Sequence, residues 1–273
     1  MEVEEAGTRA MSMEQRQQLS SFWTGPLHWD VAMAEYCTLR AGGPADALLE
    51  AATLPELCRL ICWLEEQAIR WRVIGRGSNI LVGSKGFAGV LITLGGEFRA
   101  IRRERTGSAR PGIETVRTGA GCPAGKLVGW CVRNGLAGLE FMAGIPGSIG
   151  GAVAMNAGAW GGEIGKLIDV VTFVDRQGQV HEVPRQELEF SYRRMRTPRF
   201  ELNGAVVVEA VFALREDNSR EILHRCRELV ARRRAKQPAG VASAGSFFKN
   251  PPGDSAGRLI EAAGLKGLRR GSA

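Results

Sequence analysis

Residues 144–158 read Gly144-Ile-Pro-Gly-Ser-Ile-Gly-Gly-Ala-Val-Ala-Met-Asn-Ala-Gly158, five glycines and a proline in fifteen positions. With side chains removed along it, such a stretch lays its backbone against something flat or bulky. A cofactor ring with its phosphates would fit, and so would a tight packing corner between two layers. The stretch alone does not separate the two. The surplus is general, because the chain holds 36 glycines in 273 residues, about twice the usual share of ~7%. Glycine is entropically costly unless backbone must turn or approach a neighbour closely.

Two further loops could cradle phosphate. Gly75-Arg-Gly-Ser-Asn79 follows a strand-like Arg72 to Ile74. It lacks the third glycine of a dinucleotide fingerprint and runs into apolar Ile80 to Val82 instead of a helix, so it fails as a Rossmann turn. A strand–loop–strand could still present amides, with Ser78 and Asn79 as donors. Gly119-Ala-Gly-Cys-Pro-Ala-Gly-Lys126 superficially suggests a Walker loop. Position 120 is Ala where Gly is required, and Leu127 replaces the Ser or Thr that holds magnesium. Nucleotide hydrolysis by a P-loop is therefore excluded.

Charge and cysteines narrow the class. Apolar residues make up 44% and charged residues 24%, with a net charge of +7, as in a folded globular chain. The excess charge is local. Seven cations between Arg220 and Lys236 face only Glu221 and Glu228, a net +5. That run attracts phosphates, but without interleaved aromatics it offers no platform for stacked bases. The six cysteines form no C-x-x-C pair and the three histidines are scattered, so neither a disulfide framework nor a zinc site is expected. Cys58 and Cys62 lie one helical turn apart and read as core. No apolar run approaches the ~20 residues of a membrane span, and the acidic start is unlike a secretory signal. A cytoplasmic protein is expected.

Along the chain, residues 1–35 read as a weakly structured leader. Thr53 to Glu56 has the form of a capping box ahead of Leu57, Leu60, Ile61 and Leu64 on one helical face. Strands are expected at 72–74, 80–82, 90–94, 115–118, 170–174, 179–183 and 205–214, and a surface loop at 102–114. Helices are expected at 123–134, ended by Gly135, at 219–235 and at 255–263. Asp175 to Gly178 is a hairpin signature. Without a strict βαβ repeat, this is an α+β chain of more than one layered unit.

Two downstream segments carry chemistry. Ser191-Tyr-Arg193 sets an arginine beside an aromatic, an arrangement that can bind a carboxylate. Gly245-Ser-Phe-Phe-Lys-Asn250 places a hydroxyl against an apolar wall, where a proton donor could act. No histidine lies nearby, so a Ser-His-Asp hydrolase has no support.

Taken in order, Thr38-Leu-Arg-Ala-Gly-Gly43, Gly75 to Asn79, Gly119-Ala-Gly121, Gly144 to Gly151 with Met155 to Gly158, Ser191 to Arg193 and Gly245 to Pro251 resemble the UDP-N-acetylenolpyruvoylglucosamine reductases, in the shorter form of that family. The resemblance runs from about Tyr36 onward. It implies a two-subdomain FAD-binding fold, at about 36–95 and 96–214, followed by a smaller α+β substrate domain at 215–273. It implies non-covalent FAD and NADPH as hydride donor, with a UDP-sugar substrate feeding peptidoglycan, cell-wall growth and division. The cofactor-binding set would be Gly75, Arg76, Gly77, Ser78, Asn79, Gly119, Gly121, Gly144, Ile145, Pro146, Gly147, Ser148, Gly150, Gly151, Asn156 and Gly158. Arg193 matches the family's cation at the enolpyruvyl carboxylate and Ser246 its proton donor. Tyr192, Lys236 and Asn250 match substrate-binding positions. No metal, nucleic acid or membrane partner is expected, and the chain is expected to act as a monomer.

The family carries a catalytic glutamate beyond a His-containing stretch that follows Gly-Leu-Lys-Gly. Gly264 to Gly267 is present, but the stretch and the glutamate have no match among the six residues after it. The resemblance thus implies an incomplete substrate domain. It also gives an alternative expectation, a flavin-binding chain of impaired catalysis. Another FAD oxidoreductase of the same fold is the other alternative.

Overall fold

The computed structural model describes residues 10–104, 111–198, 204–236, 242, 243, 245 and 248–269. Fourteen strands occur among them: β1 Leu27–Ala32, β2 Pro44–Ala51, β3 Trp71–Val73, β4 Phe87–Leu94, β5 Ile101–Glu104, β6 Ile113–Gly119, β7 Leu136–Ala137, β8 Gly158–Ala159, β9 Gly162–Glu163, β10 Ile168–Val174, β11 Val180–Pro184, β12 Glu189–Ser191, β13 Arg194–Arg196 and β14 Val206–Glu216. The helices are α1 Met13–Phe22, α2 Leu54–Glu66, α3 Ala124–Arg133, α4 Ile149–Ala154, α5 Ser219–Lys236 and α6 Ala256–Ala262.

The first unit is a four-stranded sheet in the order β1-β2-β4-β3. β2, β4 and β3 run parallel and β1 is antiparallel to β2. α2 leads from β2 toward β3 and starts on the expected capping box, Thr53 accepting from the Glu56 amide and Glu56 from the Thr53 amide. Its Leu57, Leu60, Ile61 and Leu64 are fully buried, each worth about 2 kcal/mol of transfer free energy. The second unit is antiparallel, in the order β11-β10-β14-β6-β5, with β7 pairing β14. The core of the first unit is completed by residues of the second. Val174, Val206, Val208 and Ala120 of the second pack in the same apolar cluster as the buried face of α2.

Several expectations are corrected. Residues 10–35 are not a weakly structured leader. α1 is closed by a second capping box at Ser12 and Gln15, Leu19 and Trp23 are buried in the first core, and β1 forms the sheet edge. Polar Gln and Ser on the exposed face of α1 hid its single buried stripe. Residues 80–82 form no strand; Ile80 and Val82 instead pack as loop residues against a small cluster around Met33 and Leu48. β2 went unforeseen, since its Ala-rich run lacks the branched residues that mark a strand. Residues 102–104 and 113–114 belong to β5 and β6, which narrows the expected loop. The boundary at 215 is also too early, because Ile222 and Cys226 of α5 lie in the core of the second unit, and Arg225 grips Glu140 and Asp217 at 2.8 and 2.6 Å. Cys58 and Cys62 are only half-buried, and the Cys62 thiol donates to the Gln177 carbonyl at 3.3 Å.

Candidate active site

The parallel strands β3, β4 and β2 end at the junction of the two units, and there they border a cleft of about 430 Å³. Crevices outside the carboxyl ends of parallel strands are the usual ligand sites of such sheets. The first sheet supplies Leu48, Leu49, Glu50, Thr93 and Leu94, and the loop after β3 supplies Gly75 and Arg76. The second unit contributes Gly121, Ser148, Gly150 and Gly151.

The loop after β3 is held open by its neighbours. Gly77 has φ +68°, and a Cβ there would stand 1.8 Å from the Tyr36 carbonyl oxygen, so only glycine fits. Its own carbonyl accepts from the Thr38 amide at 3.0 Å, and the Ser78 hydroxyl donates to the Pro146 carbonyl at 3.2 Å. Clamped on both sides, the loop leaves the amides of Gly75 to Asn79 with no protein acceptor among the described residues. Arg76 is exposed at the same place. Across the cleft, two amides of α4 are taken up by the second unit, Ile149 to the Cys122 carbonyl and Gly150 to the Ala120 carbonyl. Ser148 is buried, only 7% exposed, yet its hydroxyl caps nothing and faces the cleft between Gly75 and Gly151. Free amides, a free hydroxyl and a guanidinium around a cleft with bare backbone on two walls suit an anionic diphosphate joined to flat rings.

The glycines expected at the cofactor divide into two groups. Gly75, Gly121, Gly150 and Gly151 line the cleft with Arg76 and Ser148. Gly77, Ser78, Asn79, Pro146 and Gly147 are not among the residues bordering the cleft, and Ser78 meets Pro146 and Gly147 next to it. Gly119 lies off the cleft, where a Cβ would meet the Phe98 carbonyl oxygen at 2.2 Å. Gly144, at φ +76°, packs beneath Val230 and Arg233 of α5, and Ile145 faces the second core. Gly158 is exposed in the β8–β9 hairpin. Asn156 is buried and makes three protein hydrogen bonds. The glycine surplus therefore has two causes, bare cleft walls and close packing between layers. The resemblance implies only the first. Tyr36, His28, Arg99 and the segment Ala205 to Val207 also border the cleft, and no motif pointed to them. Arg99 reaches across to Glu50 at 2.6 Å.

A second cluster forms at the tip of the β12–β13 hairpin. Arg193 has φ +55°, its guanidinium lies 5.5 Å from the Tyr192 ring, and its Nη1 donates to the Phe248 carbonyl at 3.3 Å. The Tyr192 hydroxyl accepts from the Asn250 amide at 3.4 Å, and the Asn250 side-chain oxygen accepts from the Ala256 amide at 3.0 Å. Residues 58 positions apart in sequence are thus brought together. Thr38 links this C-terminal segment to the cleft, donating from its hydroxyl to the Ser243 carbonyl at 2.6 Å while its amide holds Gly77. Ser246 and the Lys236 side chain lie outside the described residues. Among the described residues no metal-ligating cluster occurs, and no helix is long and apolar enough to cross a membrane.

Comparison with known proteins agrees with this two-part arrangement. Residues 45–184 match the FAD binding domain family. Residues 237–273 match the UDP-N-acetylenolpyruvoylglucosamine reductase C-terminal domain family, which begins where α5 ends. The UDP-N-acetylenolpyruvoylglucosamine reductase of Alkalilimnicola ehrlichii is 43% identical over 247 residues, 90% of this chain and 78% of that protein. The reductase of Syntrophus aciditrophicus is 38% identical over 94% of this chain and 80% of its own length. Among solved structures, UDP-N-acetylenolpyruvylglucosamine reductase from Thermus caldophilus superposes with a TM-score of 0.76 at 38% identity, covering 92% of this chain and 84% of that one. A solvent-stable cholesterol oxidase shares the fold alone, with a TM-score of 0.53 at 17% identity over 70% of this chain and 38% of its own. The cleft, the arginine turn joined to the C-terminal segment, and relatives matched along nine-tenths of the sequence lead to one assignment: the chain belongs to the UDP-N-acetylenolpyruvoylglucosamine reductase family.

Proposed function

We propose that this protein reduces the enolpyruvyl ether of UDP-N-acetylglucosamine to UDP-N-acetylmuramate, a peptidoglycan precursor, in the cytoplasm. The observation that supports the proposal is the link through Thr38 between the loop at the cleft and the C-terminal segment, which also meets Tyr192 and Arg193. FAD bound in the cleft would supply the redox chemistry, a hydride relay from NADPH to the enolpyruvyl group. The amides of Gly75 to Asn79, the Ser148 hydroxyl and Arg76 would hold its pyrophosphate. The bare walls at Gly75 and Gly151 admit its bulk.

On the substrate side, Arg193 binds the enolpyruvyl carboxylate. As hydride reaches C3, negative charge builds toward that carboxylate, and a cation already fixed against Tyr192 and Phe248 stabilises it without reorganising. Ser246 delivers the proton to C2. Tyr192 and Asn250 hold the sugar nucleotide at the junction of the hairpin and the C-terminal segment, and Lys236, at the end of the basic helix, neutralises the UDP phosphates.

The test is spectroscopic. Purified protein is expected to carry FAD, to lose its 450 nm band with NADPH, and to regain it on addition of the enolpyruvyl UDP-sugar without oxygen. Protein that cannot be loaded with FAD, or whose reduced flavin ignores the substrate, refutes the proposal. Ser246→Ala is expected to leave flavin reduction intact and to slow reoxidation by the substrate 10²–10⁴-fold, the usual range for a proton-transfer group.

A further inference from the structure

Asn156 stands at the centre of a bonding pattern that a cofactor contact does not explain. It is buried, only 7% exposed, and held at φ +41°, a left-handed conformation that Asn tolerates better than most side chains. Its amide oxygen accepts from the Gly165 N–H at 2.9 Å. Its amide nitrogen donates to the Ser191 carbonyl at 3.2 Å and to Glu163 Oε2 at 3.3 Å. Both nitrogen partners are pure acceptors, so the orientation of the amide is fixed.

Gly165 is held through its carbonyl as well. Its carbonyl accepts from Arg185 Nε at 2.8 Å, and Arg185 Nη1 donates to the Leu188 carbonyl at 2.7 Å. The Arg185 guanidinium lies 5.1 Å from the Phe190 ring. A Cβ on Gly165 would stand 2.5 Å from Phe190, so the strand that carries Phe190 and Ser191 rests directly on bare backbone. Two side chains distant in sequence therefore converge on Gly165 and secure Leu188 through Ser191. Ser191 is followed at once by Tyr192 and by Arg193 with its left-handed φ of +55°.

We infer that Asn156 and Arg185 are positioning residues that set the register of the Tyr192–Arg193 turn, and that they act on the substrate carboxylate through Arg193 without touching substrate or FAD. The inference rests on the carboxylate-binding role proposed for Arg193. A one-residue slip or a rotation of β12 would turn the guanidinium away from its place beside Phe248. Left-handed, non-glycine backbone at both ends of this linkage is the kind of local strain that surrounding bonds must hold in place.

The test measures affinity of the FAD-loaded, oxidised protein for the enolpyruvyl UDP-sugar by calorimetry, without NADPH, so that no turnover occurs. Asn156→Asp keeps the left-handed preference and the size, loses both donated bonds and sets a second carboxylate beside Glu163. It is expected to weaken binding about 10-fold with FAD content and the flavin spectrum unchanged. Arg185→Lys, which keeps the charge but replaces the rigid two-point fork with a flexible ammonium, is expected to weaken it by a smaller factor and covers the case in which Asn156→Asp does not fold. In an Arg193→Ala background neither substitution should cost a further factor of two, since the group they act through is gone. A loss that multiplies with Arg193→Ala, or a loss of bound FAD, overturns the inference. If Arg193→Ala alone leaves affinity intact, the carboxylate role itself fails, and that outcome is separately readable.

Discussion

Gly151→Ala should strengthen the fold and weaken cofactor binding at the same time. Gly151 lies in α4, and a Cβ there would meet only the Ser148 hydroxyl, at 3.6 Å, an ordinary contact. Nothing in the protein opposes the methyl group. Glycine in a helix costs about 0.5–1 kcal/mol relative to alanine, so the apoprotein should gain about that much and melt about 1–4 °C higher. The same methyl projects from the cleft wall. If the flavin nucleotide runs over Gly151, intrusion into a fitted contact costs about 1–3 kcal/mol, or about 5–150-fold in Kd. Thermal unfolding of the apoprotein and titration with FAD, followed by quenching of flavin fluorescence, read the two effects separately. Gly121→Ala supplies the contrast. Its Cβ would fall 2.1 Å from the Leu94 carbonyl oxygen, so that variant should lose stability and FAD together. A Gly151→Ala protein that melts higher and binds FAD as tightly as before would refute the placement of FAD against α4.

Two further predictions follow from charge. Arg76→Gln removes an exposed cation from beside the free amides of the β3 loop and should weaken FAD about 5–10-fold at low salt. The deficit should shrink as salt screens the pair, and a salt-independent deficit would show that Arg76 acts by packing. Burial pushes the Asp175 carboxyl up, but His181 at 2.6 Å and the amides of Gln177 and Gln179 at 2.9 and 2.8 Å outweigh it and hold the pKa below the ordinary carboxylate value. Its contribution to stability is present above that ordinary value and is lost as pH falls through the depressed one. Asp175→Asn should therefore unfold more readily at neutral pH by about 1–2 kcal/mol, and the gap to the native protein should narrow in denaturant titrations below pH 4.

Much of this architecture was legible because its signals are local. α2 announces itself through Thr53, Glu56 and an apolar stripe, α3 through Gly135, and the β10–β11 hairpin through Asp175 and Gly178. The cleft was legible only in part. Gly75 and Gly151 look the same in sequence as Gly119 and Gly144, and what separates them is what stands opposite: the Ser148 hydroxyl at the cleft for the first two, the Phe98 carbonyl and the side chains of Val230 and Arg233 for the others. That depends on the opposite layer. Glu50, Arg99 and Ala205 to Val207 border the cleft because of how the two sheets meet, which no short segment encodes. The partners of Asn156 at Glu163, Gly165 and Ser191 were hidden for the same reason, since the fold and not the motif around it brings them together. α1 escaped notice because a helix with one buried leucine leaves almost no periodic trace.

The first core, completed by the second unit, has a consequence for how this chain can be recombined. Val174, Val206 and Val208 complete the apolar surroundings of Leu57, Leu60, Ile61 and Leu64, so the first sheet does not own a finished interior. A chimaera that took residues up to the end of β4 from one homologue and the remainder from another would inherit a mismatched seam beneath α2 unless those three valines travelled with the helix. The same seam removes the option of a loose hinge. The halves that border the cofactor cleft should exchange their protected amide hydrogens together, as one cooperative body.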